Sequence, residues 1–505
     1  MVDTSNRHGI NAELHPQSAI LGPIVRCECG HGCLLITLGI VLSAPFSSHF
    51  LPIVSPPLFF YSSVLKVIMT GQINFFKGHP TLTLLPNQEL ADSFRRVLVD
   101  KNFAHLENDP SNKYPLEYGT DPGNLEVRQS IIQWSNKKYD RPSANADLVN
   151  LTAGSSYGAA NILSACTRTD ITKHVFLVSP TYFLINYAFI DAGFEGKMSA
   201  VVETSGGEYD IDLDGFESKL KELDAEHGLD PVSIEEINIV DDPTQRGPRK
   251  FYRYVMYFVP TFSNPGGLSY STKTRTRLLE IARQHDVLLI ADDVYDFLDY
   301  EPETPKLPKL NHLDEDTLPE GWIYGNTVSN ASFSKLIAPG LRTGWQETAT
   351  CHLVQQLATT GANKSGGTPS QLNICVVQDL IDTGVVDQCI SNLIAVFKAR
   401  ADTLISALHE HLPSKYLKVE GGRGGYFIWC SINAEDVDVA RTLDLLKKEH
   451  QVIIAEGFHF EVEGDAKGWG TNSARLCVAY LTEEEIEEGI RKWGEIMRRE
   501  YPALY

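Results

Sequence analysis

Residues 287–295 read VLLIADDVY, and residues 332–345 read SFSKLIAPGLRTGW. The first five residues of the earlier stretch are apolar, which is typical of a strand that is buried on both faces. Asp292 and Tyr295 follow this strand closely. The later stretch places Lys335 between a pair of serines and a Pro-Gly turn. Both stretches therefore predict polar and charged side chains beyond the ends of buried strands.

The surrounding sequence alternates between strands and helices. Strand-length segments occupy 147–152, 174–178, 252–259 and 287–291, and helical spacing occupies 125–134, the segment that begins at 154, and 273–285. This alternation predicts an α/β fold in which a large domain has a mostly parallel sheet flanked by helices.

The pattern changes towards the C-terminus. A long helical segment at 386–412 precedes the short stretches GGYFIW and ARLCVAY and a last helix. That helix opens with Thr482 and Glu485, the spacing of a capping box. We expect these elements to form a second, smaller α+β domain.

Composition excludes several classes of protein. The 505 residues are 43% hydrophobic and 22% charged, which argues against a disordered chain, a fibrous repeat or a small disulfide scaffold. The net charge of −21 disfavours binding to nucleic acid. The nine cysteines are an odd number, and six of them lie far apart, so we expect reduced thiols and a cytoplasmic location.

Residues 1–69 differ from the rest of the chain because they carry few charges and several prolines. The apolar run Leu34–Leu42 is shorter than the ~20 residues that a membrane-spanning helix needs. Four metal-ligand side chains occur close together, but their spacing is not that of a zinc site: Cys27, Cys29, His31 and Cys33. We expect a poorly ordered extension, or an upstream segment that precedes a start at Met69, with no metal and no membrane anchor.

Polar groups follow four of the predicted strands. They are Gly154 with Ser155 and Ser156, Asn264, Asp292 with Tyr295, and the Lys335 segment. In open α/β sheets, ligands bind beyond the carboxyl ends of the strands. The sequence therefore predicts that these groups converge on one cleft.

These motifs, in this order, resemble those of the fold-type I pyridoxal-phosphate enzymes, the class I/II aminotransferases. The most similar branch is that of the fungal 2-aminoadipate transaminase-like proteins, and the resemblance runs from about Ile73 to the C-terminus. It implies pyridoxal 5'-phosphate as the cofactor. It also implies transfer of an amino group from an L-amino acid, 2-aminoadipate-like or aromatic, to a 2-oxo acid such as 2-oxoglutarate.

The resemblance assigns roles around the cofactor ring. Lys335 matches the lysine that binds the cofactor covalently and then moves the substrate proton, for which it needs a lowered pKa. Asp292 matches the carboxylate that pairs with the ring nitrogen. Tyr295 and Asn264 match the hydrogen-bond donors to the ring oxygen, and Tyr182 matches the side chain that lies against the ring. For Asp292 an alternative is a helix N-cap, a role that Asp293 could equally fill.

Further matches concern the phosphate, the substrate and the partner subunit. The phosphate-binding residues are Gly154, Ser155, Ser156, Ser332, Ser334 and Arg342. Arg475 matches the arginine that binds the substrate α-carboxylate, and Asn264 and Gly78 match residues near the substrate. Tyr118 matches a tyrosine that reaches the phosphate of the neighbouring subunit, which implies a homodimer.

The implied domains are an extension at 1–69, an N-terminal arm and part of the small domain at 70–112, a large cofactor-binding domain at 113–370, and a small domain at 371–505. The glycine-rich stretch Gly361–Pro369 is interpreted either as a mobile loop near the cleft or as a solvent-exposed loop between two helices.

The sequence is compatible with more than one answer on three points. The residue that reads the substrate side chain is undetermined, with Lys77, His79 and Arg423 as candidates for a distal carboxylate. A C–S lyase or another pyridoxal-phosphate enzyme on the same fold would share Lys335 and Asp292. A transcription regulator of this fold is a remote alternative because it would need a basic, helical leader in residues 1–69.

Overall fold

The computed structural model describes residues 71–505, with the exception of positions 143, 233–237, 245, 302 and 304. The predictions for residues 1–69 lie outside the described residues. They comprise the poorly ordered extension, the cysteine–histidine cluster, the apolar run and the leader that a transcription regulator would need.

The described residues form fifteen strands and thirteen α-helices, joined by loops and short 3-10 or π turns. The strands are β1 (Ile73–Asn74), β2 (Val149–Thr152), β3 (His174–Ser179), β4 (Met198–Val202), β5 (Ile239–Asp241), β6 (Pro248–Lys250), β7 (Tyr254–Phe258), β8 (Val287–Ala291), β9 (Thr327–Ser332), β10 (Gly344–Thr348), β11 (Leu417–Gly421), β12 (Phe427–Ile432), β13 (Val452–Ile453), β14 (Ala455–Glu456) and β15 (Ser473–Cys477). The helices are α1 (Asn87–Arg95), α2 (Leu125–Lys137), α3 (Ser155–Cys166), α4 (Ile185–Phe189), α5 (Leu213–His227), α6 (Thr272–His285), α7 (Leu310–Asp316), α8 (Cys351–Ala358), α9 (Gly361–Gly366), α10 (Gln371–Asp382), α11 (Val385–His411), α12 (Val439–His450) and α13 (Glu483–Glu500).

A seven-stranded sheet forms the centre of the large domain, in the order β2-β10-β9-β8-β7-β3-β4. The contacts among β9, β8, β7, β3 and β4 are parallel, and β10 runs antiparallel to both of its neighbours. Alternate residues of β8 enter two separate cores: Leu288 and Ile290 pack on one face, and Leu289 on the other. Helix α3 covers the first face and α6 the second. The prediction of a mostly parallel sheet flanked by helices is confirmed.

A second sheet has four antiparallel strands in the order β11-β12-β15-β14. Helices α11, α12 and α13 belong to this part of the chain, and α13 begins at the predicted capping box. Its Thr482 hydroxyl accepts from the Glu485 amide at 3.3 Å, and the Glu485 carboxylate accepts from the Thr482 amide at 2.9 Å. Strand β1 pairs in parallel with β13, so the first described residues join the C-terminal part. The predicted domain boundaries stay predictions.

The glycine-rich stretch 361–369 differs from its prediction as a loop because Gly361–Gly366 forms α9. Glycine is a poor helix former, but tertiary contacts hold this turn. Asn363 is buried and accepts a hydrogen bond from the Tyr157 hydroxyl at 2.9 Å, and Lys364 pairs with Asp121. Packing overrides local preference here.

Among the residues that the structure covers, no single helix has the length and apolarity needed to cross a membrane. Helices α10 and α11 meet that test only when joined, by length and composition, and the chain bends by 79° between them.

Candidate active site

One cavity of about 340 Å³ lies at the edge of the large sheet where β3, β7, β8 and β9 end. Eleven of the predicted site residues line it, contributed by segments far apart in sequence. They are Gly78, Ser155, Ser156, Tyr182, Asn264, Asp292, Tyr295, Ser334, Lys335, Arg342 and Arg475. The predicted convergence on one cleft is therefore observed in the structure.

Lys335 enters the cavity from the turn after β9, and its Nζ donates to the Gly78 carbonyl at 3.0 Å. Removal from water lowers the pKa of this amine to about 8. The positive charges of Arg475 and Arg342 contribute to this lowering, whereas Cys477 and the negative charge of Asp292 oppose it. Lys335 can therefore lose its proton near neutral pH, as a nucleophile or base must.

Asp292 follows β8 and is almost fully buried. Its Oδ2 accepts from the Tyr257 hydroxyl at 2.6 Å, and its Oδ1 accepts from the Asn330 side chain at 3.3 Å. Burial raises the pKa of Asp292 to about 6, and both hydrogen bonds oppose the rise. No helix begins at this position, so the alternative of an N-cap is wrong. The neighbouring Asp293 accepts instead from Ser329 at 2.5 Å and does not line the cavity.

An anion cradle forms at the start of α3. Gly154 precedes this helix with a φ of 95°, so the first backbone N–H groups of α3 lie at a helix N-terminus, where a negative charge is favoured. The Arg342 guanidinium donates to the Ala153 carbonyl at 3.0 Å and approaches the Ser334 hydroxyl at 3.4 Å. A Cβ on Gly154 would lie 3.1 Å from that guanidinium. The positive φ favours a glycine here, and a side chain would crowd the guanidinium that borders the anion cradle.

The Ser332 hydroxyl stands at the back of the anion cradle. It donates to the Ser334 hydroxyl at 2.9 Å and accepts from the Ser334 amide at 3.1 Å. Ser332 and Gly154 thus shape the anion cradle without lining the cavity itself.

Arg475 projects from β15 and is only 3% exposed. One guanidinium nitrogen donates to the Asn264 side-chain oxygen at 3.1 Å, and another donates to the Phe76 carbonyl at 2.8 Å. Burial lowers the pKa of Arg475 to about 10. Within the described part of the chain, its buried Nε has no hydrogen-bond partner and no carboxylate pairs with the cation. An anion from outside the chain would therefore compensate it.

The remaining predicted residues complete the walls. Tyr182 and Tyr295 line the cavity, and burial raises the pKa of each phenol, so both hydroxyls stay protonated donors. Asn264 lies in the loop after β7, six residues beyond its last residue, and not at the strand end as expected. A Cβ on Gly78 would lie 3.1 Å from the ring of Phe427, which favours a glycine at this position.

Several candidates do not reach the cavity. Tyr118 is 82% exposed on the surface, beside α9. Arg423 pairs with Glu301 outside the cavity, and His79 packs edge-on against the ring of Tyr480. Lys77 does line the cavity.

Two residues at the site were missed from the sequence: Tyr257, inside β7, and Asn330, inside β9. The sequence did contain a signal for them, because a side-chain hydroxyl or amide within a strand that is buried on both faces needs a hydrogen-bond partner. Identifying that partner requires the register of the sheet.

These groups fit pyridoxal phosphate. The anion cradle suits the phosphate, Lys335 suits the aldehyde, and the buried carboxylate of Asp292 suits a protonated ring nitrogen. The fold and the site thus define a fold-type I pyridoxal-phosphate-dependent enzyme.

The chain belongs to the family of aminotransferases class I and II, whose sequence model matches residues 95–492. An uncharacterized protein of Saccharomyces cerevisiae is 42% identical over 85% of this chain and 97% of its own length. The aromatic-amino-acid aminotransferase 1 of Thermococcus litoralis is 28% identical, over 86% and 91% of the two chains.

Similarity to a solved structure supports the fold. The crystal structure of LysN, the alpha-aminoadipate aminotransferase of Thermus thermophilus complexed with N-(5'-phosphopyridoxyl)-L-leucine, matches with a TM-score of 0.62. The sequence identity is 23%, and the match covers 87% of this chain and 95% of that one. The protein is a transaminase that depends on pyridoxal phosphate.

Proposed function

We propose that this transaminase moves the amino group of an L-amino acid with an aromatic or 2-aminoadipate-like side chain to a 2-oxo acid such as 2-oxoglutarate. The observation that carries the proposal is Arg475, a buried cation with an unpartnered Nε and no carboxylate partner among the described residues. Because it lines the same cavity as Lys335, it supports binding of an α-carboxylate beside the amine that moves the substrate proton.

When bound, pyridoxal phosphate supplies an electron sink for the carbanion that forms at the substrate Cα. The residues of the chain provide binding and proton transfer. Arg475 orients the α-carboxylate through its forked N–H groups. Lys335 takes the Cα proton on Nζ and would pass it to the cofactor carbon that carries the substrate nitrogen, so that the amino group stays with the cofactor. Its lowered pKa lets it act first as base and then as acid. Asp292 keeps a negative charge available to the ring nitrogen.

Aromatic rings surround the position next to Arg475. Phe76 contacts Phe183 with ring centroids 6.3 Å apart and His459 at 5.6 Å, and Phe183 contacts Phe460 at 5.8 Å. Phe76 and Phe183 line the cavity directly. Edge-to-face packing of a further ring against such walls is favourable, which supports aromatic donors.

Lys77 adds a positive charge to the same wall. Its Nζ donates to the Tyr480 hydroxyl at 2.7 Å and lies 4.1 Å from the centre of that ring. A flexible ammonium can turn toward a distal carboxylate, such as that of 2-oxoglutarate or 2-aminoadipate, and back to its tyrosine. This supports one pocket for both kinds of side chain.

The test is an amino-donor screen of the purified protein with 2-oxoglutarate. We expect glutamate from phenylalanine, tyrosine, tryptophan and 2-aminoadipate, with little from alanine. Release of pyruvate and ammonia without an oxo acid would contradict transamination and favour the lyase alternative. Equal rates with alanine and phenylalanine would refute the aromatic walls as a selecting feature.

Lys77→Met tests the distal carboxylate. The variant keeps the apolar stem and loses the ammonium, so KM for 2-oxoglutarate should rise about tenfold, while the half-reaction with phenylalanine changes little. Lys415→Met is the matched control, because Lys415 also lies against a tyrosine, with Nζ 5.0 Å from the centre of the Tyr416 ring, but outside the cavity. If both variants leave KM unchanged, Lys77 has no part in binding the oxo acid.

We also propose a homodimer in which Tyr118 of one subunit serves the anion cradle of the other. The support is its exposure beside Leu116, which is also exposed, and its absence from the cavity of its own subunit. Mixing Tyr118→Phe with Lys335→Ala subunits tests this. Random pairing should restore about a quarter of the wild-type activity, since half of the dimers would carry one intact site. No gain above the separate variants would contradict the role in the partner subunit.

A further inference from the structure

We infer that Tyr257 is a positioning residue, whose phenol holds the carboxylate of Asp292 in its ionised form and in one orientation for the cofactor. The inference rests on the proposed role of Asp292 and adds a residue that acts through it.

The geometry of the two strands places the phenol against the carboxylate. Tyr257 lies opposite Ile290 in the parallel pairing of β7 with β8, and Asp292 follows two residues later. The Asp292 amide donates to the Phe258 carbonyl at 2.9 Å, which fixes the backbone where the strand ends. The Tyr257 ring is 1% exposed and packs against Phe189. Neither partner can therefore move without disturbing the sheet.

The direction of this hydrogen bond is determined. Burial raises the pKa of the Tyr257 phenol well above its usual value, and the negative charge of Asp292 raises it further. The hydroxyl therefore keeps its proton and must donate it to Oδ2, at 2.6 Å. A donor to a carboxylate favours the ionised form, which offsets part of the burial that raises the pKa of Asp292.

Other groups face Asp292 from each neighbouring element. Asn330 of β9 donates to Oδ1 at the longer distance of 3.3 Å. The charge of Lys335, after β9, lowers the pKa of Asp292, and Asp296, on its own loop, raises it. The phenol of Tyr182, after β3, also lies within its electrostatic reach. Among the donors that the structure gives Asp292, Tyr257 makes the shorter hydrogen bond.

The same strand supplies a matched control. Tyr254 donates to the Asp224 carboxylate at 2.9 Å, and its ring belongs to the core on the other face of the sheet. Both tyrosines are buried, both lie in β7, and both bond a carboxylate. Substitution of either tyrosine by phenylalanine removes one buried hydrogen bond between a phenol and a carboxylate from β7. Only the bond of Tyr257 involves Asp292, so the comparison separates an effect on Asp292 from a general effect on the strand.

The experiment measures the affinity of the apoprotein for pyridoxal phosphate between about pH 5 and pH 9, by absorbance titration. For Tyr257→Phe we expect an upward shift of about one unit in the pH midpoint of binding, because loss of a charge-assisted donor favours the protonated carboxyl. Binding should therefore be about tenfold weaker at pH 5 and about twofold weaker at pH 7. For Tyr254→Phe we expect wild-type affinity and midpoint. An unshifted midpoint in Tyr257→Phe, or equal shifts in both variants, would overturn the inference.

A double substitution separates this inference from the role of Asp292. Asp292→Asn alone should weaken binding if Asp292 serves the cofactor at all. In that background, Tyr257→Phe should cause little further loss, because the carboxylate through which it acts is gone. Full additivity would show that Tyr257 acts on its own and refute positioning. A wild-type affinity for Asp292→Asn would instead refute the proposed role of Asp292.

Discussion

Substitution of Arg475 by lysine keeps the positive charge but removes the two-pronged hydrogen bonding to the substrate α-carboxylate, so it separates the two contributions to binding. In the structure, the guanidinium donates to Asn264 and to the Phe76 carbonyl, and the buried Nε is left over among the described residues. A lysine keeps the positive charge but cannot hold both internal partners and grip two carboxylate oxygens. The loss corresponds to at least one hydrogen bond to a charged group, about 1.5–3 kcal/mol. We therefore expect kcat/KM to fall about ten- to a hundredfold for every amino donor.

The assay is the single-turnover half-reaction with phenylalanine, 2-aminoadipate and alanine, followed by the cofactor spectrum. Cofactor content should stay at the wild-type level because Arg475 is not part of the anion cradle. Arg249→Lys is the control: Arg249 is also buried, with a guanidinium nitrogen unpartnered within the described ranges, but it does not line the cavity. A loss confined to one donor would mean that Arg475 reads the side chain, and equal losses in both variants would indicate general destabilisation.

The remaining predictions concern Lys335, Asp292 and two glycines. Lys335→Ala should still bind the cofactor weakly through the anion cradle, but it should lose the visible absorption of the covalently bound cofactor. Its turnover should fall at least about a thousandfold, and normal turnover would refute Lys335 as the catalytic lysine. Covalent uptake of pyridoxal phosphate by the wild-type apoprotein should accelerate with rising pH and level off above about 8, because Lys335 reacts only without its proton; a midpoint at the ordinary lysine value would contradict its burial. Asp292→Asn should lower kcat at least about a hundredfold at unchanged unfolding midpoint, and an activity near wild type would transfer the role to another group. Gly158→Ala should cost about 1–3 kcal/mol in denaturant unfolding, since its Cβ would lie 2.0 Å from the Asn330 side-chain oxygen, whereas Gly361→Ala, with open space, should cost little.

The elements that could be predicted from sequence are those in which one physical requirement dominates. The run 287–291 had to be a strand because five consecutive apolar residues suit burial on both faces of a sheet, and β8 has those bounds. The α13 boundary followed from the reciprocal hydrogen bonds of a capping box. Helix α9 was not predictable, because its glycines oppose a helix locally and only distant partners such as Tyr157 stabilise it.

The residues of the candidate site also fall into those that could be predicted from sequence and those that could not. Groups that follow strands, such as Asp292 and Lys335, could be placed at one edge because parallel strands end together. Tyr257 and Asn330 could not, because they lie within strands and their roles depend on which strands are neighbours. Tyr118 poses a third kind of problem: it is exposed in the single chain, so the role proposed for it depends on a second subunit.

The charges around Lys335 link substrate binding to proton transfer. After burial, the positive charges of Arg475 and Arg342 are what lower the pKa of Lys335, while Asp292 opposes them. A substrate carboxylate bound at Arg475 cancels much of that positive charge, and a phosphate in the anion cradle does the same at Arg342. The proton affinity of Lys335 therefore rises when both anions are present, which is when, in the proposed mechanism, the amine accepts the proton from Cα. In a chain with a net charge of −21, this local concentration of arginines serves two needs at once: it attracts the anionic ligands, and it holds the pKa of the amine below its usual value until they arrive.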